Sequence, residues 1–282
     1  MRETSGSGTL HVVATPIGNL GDLSPRAAKV LAGVDLIACE DTRRTGKLLH
    51  LAGIPSPGLM RVDMHTEEAR TARVLEVLGA GGDVALVSDA GTPAVSDPGR
   101  RLVTAVSGAG HRVATVPGPS AVTAALAASG LVADRFVFEG FLPRKGAERG
   151  RRLASLAAES RTVVLFESPN RIGATLRDLV AVCGGARPAV VARELTKVHE
   201  TIHRGDLADL CEEFSGGTRG EIVLVISGAP PPGPVDDDEV RGMLSGFREG
   251  GMDRRTAVLR TTAETGAGRN RVYELSLELD WS

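Results

Sequence analysis

A chain of 282 residues has room for one large domain or two of ordinary size, and 42% hydrophobic content with only 3% aromatic residues suits α/β cores built from Val, Leu and Ala. A net charge of −2 argues against a protein that coats bare nucleic acid by charge alone, although a local basic patch remains compatible with it. No apolar run approaches a bilayer span or a signal-peptide core, and Cys39, Cys183 and Cys211 form no CxxC pair, so a cytoplasmic protein without membrane association, disulfide framework or zinc ribbon is expected.

Residues 1–9 are polar and Gly/Ser-rich and read as a disordered N-terminus. Strands and helices then alternate: strand Leu10 to Thr15, helix Pro25 to Leu31 capped by Ser24, strand Leu36 to Cys39, helices Arg43 to Leu51 and Glu67 to Leu78, and strand Val84 to Val87. A helix Pro98 to Ala109, with Asp97 as its N-cap, and a strand Val113 to Val116 complete a first α/β domain over 10–118 with a mainly parallel sheet. Pro117-Gly118-Pro119 breaks the pattern, and a second α/β domain follows over 119–228. Its elements are helix Ser120 to Ala128, strand Phe136 to Glu139, a charged loop Leu142 to Arg152, helix Leu153 to Ala158, strand Val163 to Glu167, helix Ile172 to Val182, strand Ala189 to Ala192, helix Leu207 to Phe214 and strand Ile222 to Ile226. Residues 229–238 are a Pro/Asp-rich linker, and 239–282 hold three short, arginine-rich helical patterns.

Function is sought at the carboxyl ends of the strands, where open α/β sheets place ligands. The loop after Val87, from Ser88 to Gly99, sets Asp89 and Asp97 among small residues, so a ligand can approach the backbone and meet a negative charge. Thr15 to Asp22 leaves the first strand in a turn of the kind that cradles nucleotides, but the chain has no GxGxxG, which disfavours a dinucleotide-dependent dehydrogenase. Glu40-Asp41-Thr42-Arg43 ends the second strand with acids that serve equally as a helix start or as site residues. Ser120 opens a helix after a tight turn; His65 stands before another helix; Lys197 follows a strand end. His199-Glu200-Thr201-Ile202-His203 fits HExxH, but two β-branched residues and Gly205 make a loop or strand the better reading, so no metal site is assigned. Arg144, Lys145, Arg149, Arg151 and Arg152 against Glu148 make the charged loop a basic patch suited to phosphates.

Taken together, Thr15-Pro16-Ile17-Gly18-Asn19-Leu20, Glu40-Asp41-Thr42-Arg43, Ser88-Asp89-Ala90-Gly91-Thr92-Pro93, Asp97-Pro98-Gly99, Pro117-Gly118-Pro119, Glu139-Gly140-Phe141-Leu142-Pro143, Phe166-Glu167-Ser168, Ala192 to Lys197 and Gly220-Glu221 resemble the ribosomal RNA small subunit methyltransferase I family, within the tetrapyrrole methylase superfamily. The resemblance runs in order over residues 10–228, and Asp253 to Leu279 is similar to that family's helical tail. A tryptophan is common in the family where His199 stands, which further weakens a zinc reading.

The resemblance implies two α/β domains of the tetrapyrrole methylase type with a cofactor cleft between them, S-adenosyl-L-methionine as methyl donor, and a homodimer. It also implies the ribose 2′-hydroxyl of a decoding-centre cytidine of 16S rRNA, in the small ribosomal subunit, as acceptor. Carried over by position, Ile17, Asp89, Thr92, Ser120, Ala121, Phe166, Arg193 and Glu221 would line the donor pocket. A ribose hydroxyl is a poor acid, and Asp89, His65 and Glu40 are candidates to accept its proton, with Lys197 or Arg43 holding a phosphate or polarising the oxygen. A methylase of a tetrapyrrole or other small acceptor, and a non-catalytic RNA-binding or ribosome-assembly protein, are the alternatives. The basic loop and arginine-rich tail favour RNA over a tetrapyrrole.

Overall fold

A computed structural model describes residues 7–63, 67–231 and 235–281. The chain divides into two compact units, residues 1–228 and 229–282. His65, proposed as a proton acceptor, lies outside the described residues, as do 1–6 of the expected N-terminal lead-in and 232–234 of the expected linker.

The larger unit contains two five-stranded sheets. The first is formed by β1 (Thr9–Val13), β2 (Leu36–Cys39), β3 (Gly58–Arg61), β4 (Val84–Val87) and β5 (Arg112–Val116), in the order β3-β2-β4-β1-β5, all parallel. Helices α1 (Pro25–Gly33), α2 (Thr42–Leu51), α3 (Glu67–Gly79) and α4 (Arg100–Gly108) connect them. The pleat alternates along β4: Ala85 and Val87 pack with Leu31 and Leu49 on one face, whereas Val84 and Leu86 pack with Leu78 and Leu102 on the other. Burial of β4 on both faces explains its unbroken apolar run.

The second sheet is mixed. It contains β6 (Phe136–Phe141), β7 (Thr162–Glu167), β8 (Pro188–Arg193), β9 (Thr201–Asp206) and β10 (Ile222–Ile226), in the order β6-β7-β10-β8-β9. Only β6 and β7 are parallel; the last strand, β10, slots between β7 and β8 and runs against both. Helices α6 (Ala147–Ala158), α7 (Ile172–Cys183) and α8 (Leu207–Glu213) cover one face. Helix α5 (Ala121–Ser129) supplies Val122, Ala125 and Leu126 to the other, where Ile17 from the first sheet's β1 loop joins the same apolar cluster.

Several boundaries differ from those expected. Thr9 belongs to β1, and Gly8 donates to Leu78 O at 2.9 Å, so these two residues of the predicted lead-in are part of the folded unit. Strand β3, a four-residue edge, is absent from the expected elements, while the stretch expected to be loop or strand around His203 is strand β9, which carries His203, Arg204 and Asp206 on a sheet margin. Asp97 does not cap α4. That helix starts at Arg100 behind Gly99, whose φ of 124° suits only glycine and whose Cβ would fall 2.7 Å from Leu86 Cδ2. The charged segment is a loop only as far as Gly146; α6 begins at Ala147, which puts Arg149, Arg151 and Arg152 on a helix.

The smaller unit packs α9 (Asp237–Glu249), α10 (Arg254–Thr265) and α11 (Arg269–Leu277) around Val240, Leu244, Ala257, Val258 and Val272. Helix α9 begins within the expected linker, capped by Asp236. Arg241 pairs with Glu278 at 2.8 Å and Arg271 with Asp237 at 2.6 Å, so part of the arginine content closes the bundle, and carboxylates outnumber arginines in this segment. No helix of the described residues is long and apolar enough to cross a membrane.

Candidate active site

The carboxyl ends of β1, β2, β4 and β5 bring together the loops carrying Thr15, Glu40, Ser88 and Pro117. Thr15 and Gly91 exchange backbone hydrogen bonds of 2.9 and 3.1 Å, the Thr15 hydroxyl donates to Ser88 O at 3.3 Å, and the Thr92 hydroxyl donates to Pro119 O at 3.3 Å. These bonds fix the β4 loop against its neighbours. Beyond Pro93 the loop is held under strain, with Ala94 at φ 65° and Ser96 at φ 63°.

A second loop, after β8, faces the first. Its residues Glu194 and Thr196 also adopt left-handed φ of 54° and 66°, and these four are the positive-φ non-glycine residues among those described. Such strain persists only where the surroundings over-determine it. Here Glu194 Oε1 accepts from the Glu221 N–H and from Lys197 Nζ, each at 2.8 Å, while the Glu194 N–H donates to Glu221 O at 2.9 Å.

Between the loops lies a cavity of about 380 Å³, within the range used by small-molecule sites. Its wall is mainly apolar: Ile17, Val122, Phe141, Phe166, Ala192, Leu195 and Val223. Phe166 is buttressed by Phe138 and Phe141, at ring separations of 4.9 and 5.5 Å. Ser120 and Ala121 bring the N-terminus of α5 to the cavity, and the Ser120 side chain makes no capping hydrogen bond, so its hydroxyl and the first N–H groups of the helix are available to an anionic group.

The cavity's carboxylates differ in state. Glu167 is buried and committed: it accepts from the Ser168 N–H at 2.8 Å and the Thr175 hydroxyl at 2.6 Å, and Arg171 approaches to 3.4 Å. Glu221 is paired with Lys197 at 3.0 Å. Asp97 has the Ser88 hydroxyl as hydrogen-bonding neighbour and no cation within ion-pair distance among the described residues; burial, reinforced by the nearby Glu40 and Asp89 carboxylates, pushes its pKa up to about 6. Burial also raises Glu40 and Asp89, the latter despite Arg44 at 3.3 Å.

Of the residues expected to line the pocket, Ile17, Thr92, Ser120, Ala121, Phe166 and Glu221 are brought together. Asp89 and Arg193 are not. The Asp89 carboxylate accepts from the Asp41 N–H at 3.1 Å and pairs with Arg44, tying β4 to the start of α2. Arg193 turns away to Thr201 and Arg219, lining a separate hollow with His203 and Glu213. Glu40 sits beside Asp89 and off the cavity wall.

Four cations have partners that the sequence did not reveal. Lys197 bridges Glu194 and Glu221, and those bonds outweigh its burial to raise its pKa; Arg43 grips Asp41 at 2.9 Å and holds that carboxyl far below its usual range. Arg149, with a side chain 12% exposed, binds Asp178 at 2.6 Å, Pro143 O at 3.0 Å and Thr175. Arg152 is likewise tied to Glu139. Arg144, Lys145 and Arg151 stay exposed, without a partner among the described residues. The HExxH stretch is not helical: His203 is on β9 and bonds Glu213 at 2.6 Å, while His199 precedes the strand. Phe141, Glu167, Ser168, Leu195 and Gly220 also line the cavity, and all five stand inside the motifs quoted above, where position was the available signal.

Comparison with known proteins matches residues 9–211 to the family described as Tetrapyrrole (Corrin/Porphyrin) Methylases. The chain is 48% identical over 276 residues to "Ribosomal RNA small subunit methyltransferase I" of Synechocystis sp., covering 97% of this chain and 99% of that one. It is 51% identical over 226 residues to the protein so named in Mycobacterium tuberculosis, covering 80% and 79%. Among solved structures, a cobalt precorrin-4 methyltransferase superposes with a TM-score of 0.58 at 20% identity, covering 77% of this chain and 94% of that chain. A uroporphyrin-III C-methyltransferase from Thermus thermophilus, complexed with S-adenyl homocysteine, gives 0.55 at 19%, covering 78% and 97%. At these identities the two structures establish likeness of fold.

Proposed function

Because the chain belongs to the tetrapyrrole methylase family, and within it to the group called ribosomal RNA small subunit methyltransferase I, we propose that it uses S-adenosylmethionine to methylate 16S rRNA in the small ribosomal subunit. The acceptor in this reading is the ribose 2′-hydroxyl of a decoding-centre cytidine, cytidine 1402. The protein works in the cytoplasm as a homodimer. The observation that carries the proposal is the mainly apolar cavity at the strand ends, with a spare helix N-terminus at one side, in a chain related over nearly its whole length to proteins of that name.

The residues present fit the donor. When bound, S-adenosylmethionine supplies an electrophilic methyl group on a sulfonium. Ile17, Phe166 and Leu195 offer an apolar wall for a nucleoside and exclude water that would compete for the methyl. The Ser120 hydroxyl and the N–H groups opening α5 suit the donor's carboxylate, and the fixed Thr15–Gly91 bridge holds the β4 loop so that little ordering is needed on binding. Arg144, Lys145 and Arg151 are free to meet phosphates. With a net charge of −2, recognition of RNA by charge alone is weak, so the folded subunit must contribute shape.

The test has two arms. Calorimetry with S-adenosylmethionine should show one site per chain, and purified small subunits lacking the modification should gain a 2′-O-methyl group detectable by mass spectrometry. No donor binding would favour a non-catalytic assembly protein. Methylation of a porphyrinogen in place of subunits would favour the small-acceptor reading.

A further inference from the structure

We propose that Asp97 is the catalytic residue that accepts the proton of the acceptor hydroxyl; this rests on the reading of the site as a ribose O-methyltransferase. The argument is one of elimination among the three carboxylates that line the cavity, Asp97, Glu167 and Glu221. Glu167 has both oxygens engaged by Ser168, Thr175 and Arg171, and Glu221 is ion-paired with Lys197, a cation it shares with Glu194. Asp97 alone of the three lines the cavity with no cation within ion-pair distance among the described residues.

The backbone around Asp97 is built to present it. Two strained residues, Ala94 and Ser96, precede it, and Gly99 takes over the start of α4. The carboxylate is thereby released from the capping role that its sequence position suggests. Its charged and hydrogen-bonding surroundings are Ser88 and Asp89 at the end of β4 and Glu40 at the end of β2, with Arg44 of α2 engaged by Asp89. An excess of negative charge in a partly dry site makes Asp97 a stronger base than an ordinary aspartate, while leaving it ionised at neutral pH.

In the step proposed, the hydroxyl oxygen forms a bond to the methyl carbon as the carbon–sulfur bond breaks. The bonding pair leaves with sulfur, which becomes a neutral thioether, and the hydroxyl proton passes to the Asp97 carboxylate and thence to solvent. No oxidant or further reactant is required.

The experiment compares wild type, Asp97→Asn and Asp97→Glu for single-turnover methylation of small subunits, donor affinity by calorimetry, and thermal stability. For Asp97→Asn the expected result is a rate at least about 100-fold lower, with donor affinity within about twofold and a melting temperature no lower than wild type. Asp97→Glu should recover at least about tenfold over the amide. The wild-type rate should rise with pH through about 6 and level off, and the residual rate of the amide variant should lack that rise. An amide variant with more than about a tenth of the wild-type rate, or one whose donor affinity falls in step with its rate, overturns the assignment. Failure of the wild type to methylate any ribose hydroxyl overturns the functional reading and the role of Asp97 together. An active wild type with an active amide variant overturns Asp97 alone.

Discussion

Gly18 lies against Lys197 so closely that a Cβ on the glycine would stand 2.4 Å from the lysine Cγ, 2.8 Å from Thr196 Oγ1 and 3.0 Å from Leu195 O. The β1 loop and the β8 loop therefore meet where neither can yield: one contact is backbone, and the residues behind it hold left-handed φ. Gly18→Ala is expected to destabilise the larger unit by roughly 1–3 kcal/mol, as overpacking does elsewhere. Because Leu195 lines the cavity, donor affinity should fall at least several-fold. Thermal unfolding and donor calorimetry on the same sample check both effects.

Arg149→Ala should behave as a stability variant. The guanidinium is largely buried and joins α6 to Asp178 and Thr175 of α7 and to Pro143. Its removal leaves those acceptors short of donors, at a cost of about 1.5–3 kcal/mol. Denaturant unfolding should show the loss. The salt dependence of subunit binding, measured by filter assay, should stay that of the wild type.

Replacing Arg144, Lys145 and Arg151 together should do the reverse. These side chains are exposed and unpaired among the described residues, so thermal stability should barely change. If each meets one phosphate, the slope of log K against log salt falls by roughly 2–3 units. An unchanged slope would remove this face from the RNA interface.

Asp97→Asn should stabilise the protein at high pH even as it lowers the methylation rate. A carboxyl raised from 3.8 to about 6 binds more protons in the folded state than in the unfolded state between those values, so stability falls as pH rises through that window. The charge costs on the order of 1–3 kcal/mol above pH 7, which the amide relieves. Melting temperatures should therefore differ by a few degrees at pH 8 and converge near pH 4.

Asp89→Ala should leave donor affinity within about fivefold, because its carboxylate faces Arg44 and the Asp41 N–H and not the cavity. Arg44→Ala should resemble it if the pair acts only as a tether between β4 and α2. A loss of donor binding confined to the Asp89 variant would return that carboxylate to the donor site.

What the sequence made legible follows local physics. Fully buried strands such as β4 and β10 stand out as unbroken apolar runs, and Ser24 before Pro25 marks a helix start that the structure keeps, with the Ser24 hydroxyl accepting from Ala27 N–H at 3.0 Å. The edge strand β9 could not be told from a loop because polar His203 and Arg204, on opposite faces, interrupt any apolar alternation. Asp97 before Pro98 imitates a helix cap, and only the conformation of Gly99 and the packing of Leu86 cancel that signal. The basic loop misled for a related reason: charge can be counted along a chain, but the partners of Arg149 and Arg152 are set by how α6 folds back on α7 and β6.

The position of β10 has a consequence for how the protein is made. As the chain leaves the ribosome, β7 and β8 are synthesised well before the strand that belongs between them, so each keeps an inner edge of unpaired backbone until residues 222–226 have emerged. Ile222 and Val223 are also part of the cavity wall. A chain stopped short of them can complete the first sheet but has neither a closed second sheet nor a pocket, so premature termination yields an inert, edge-exposed fragment in place of a partly active enzyme.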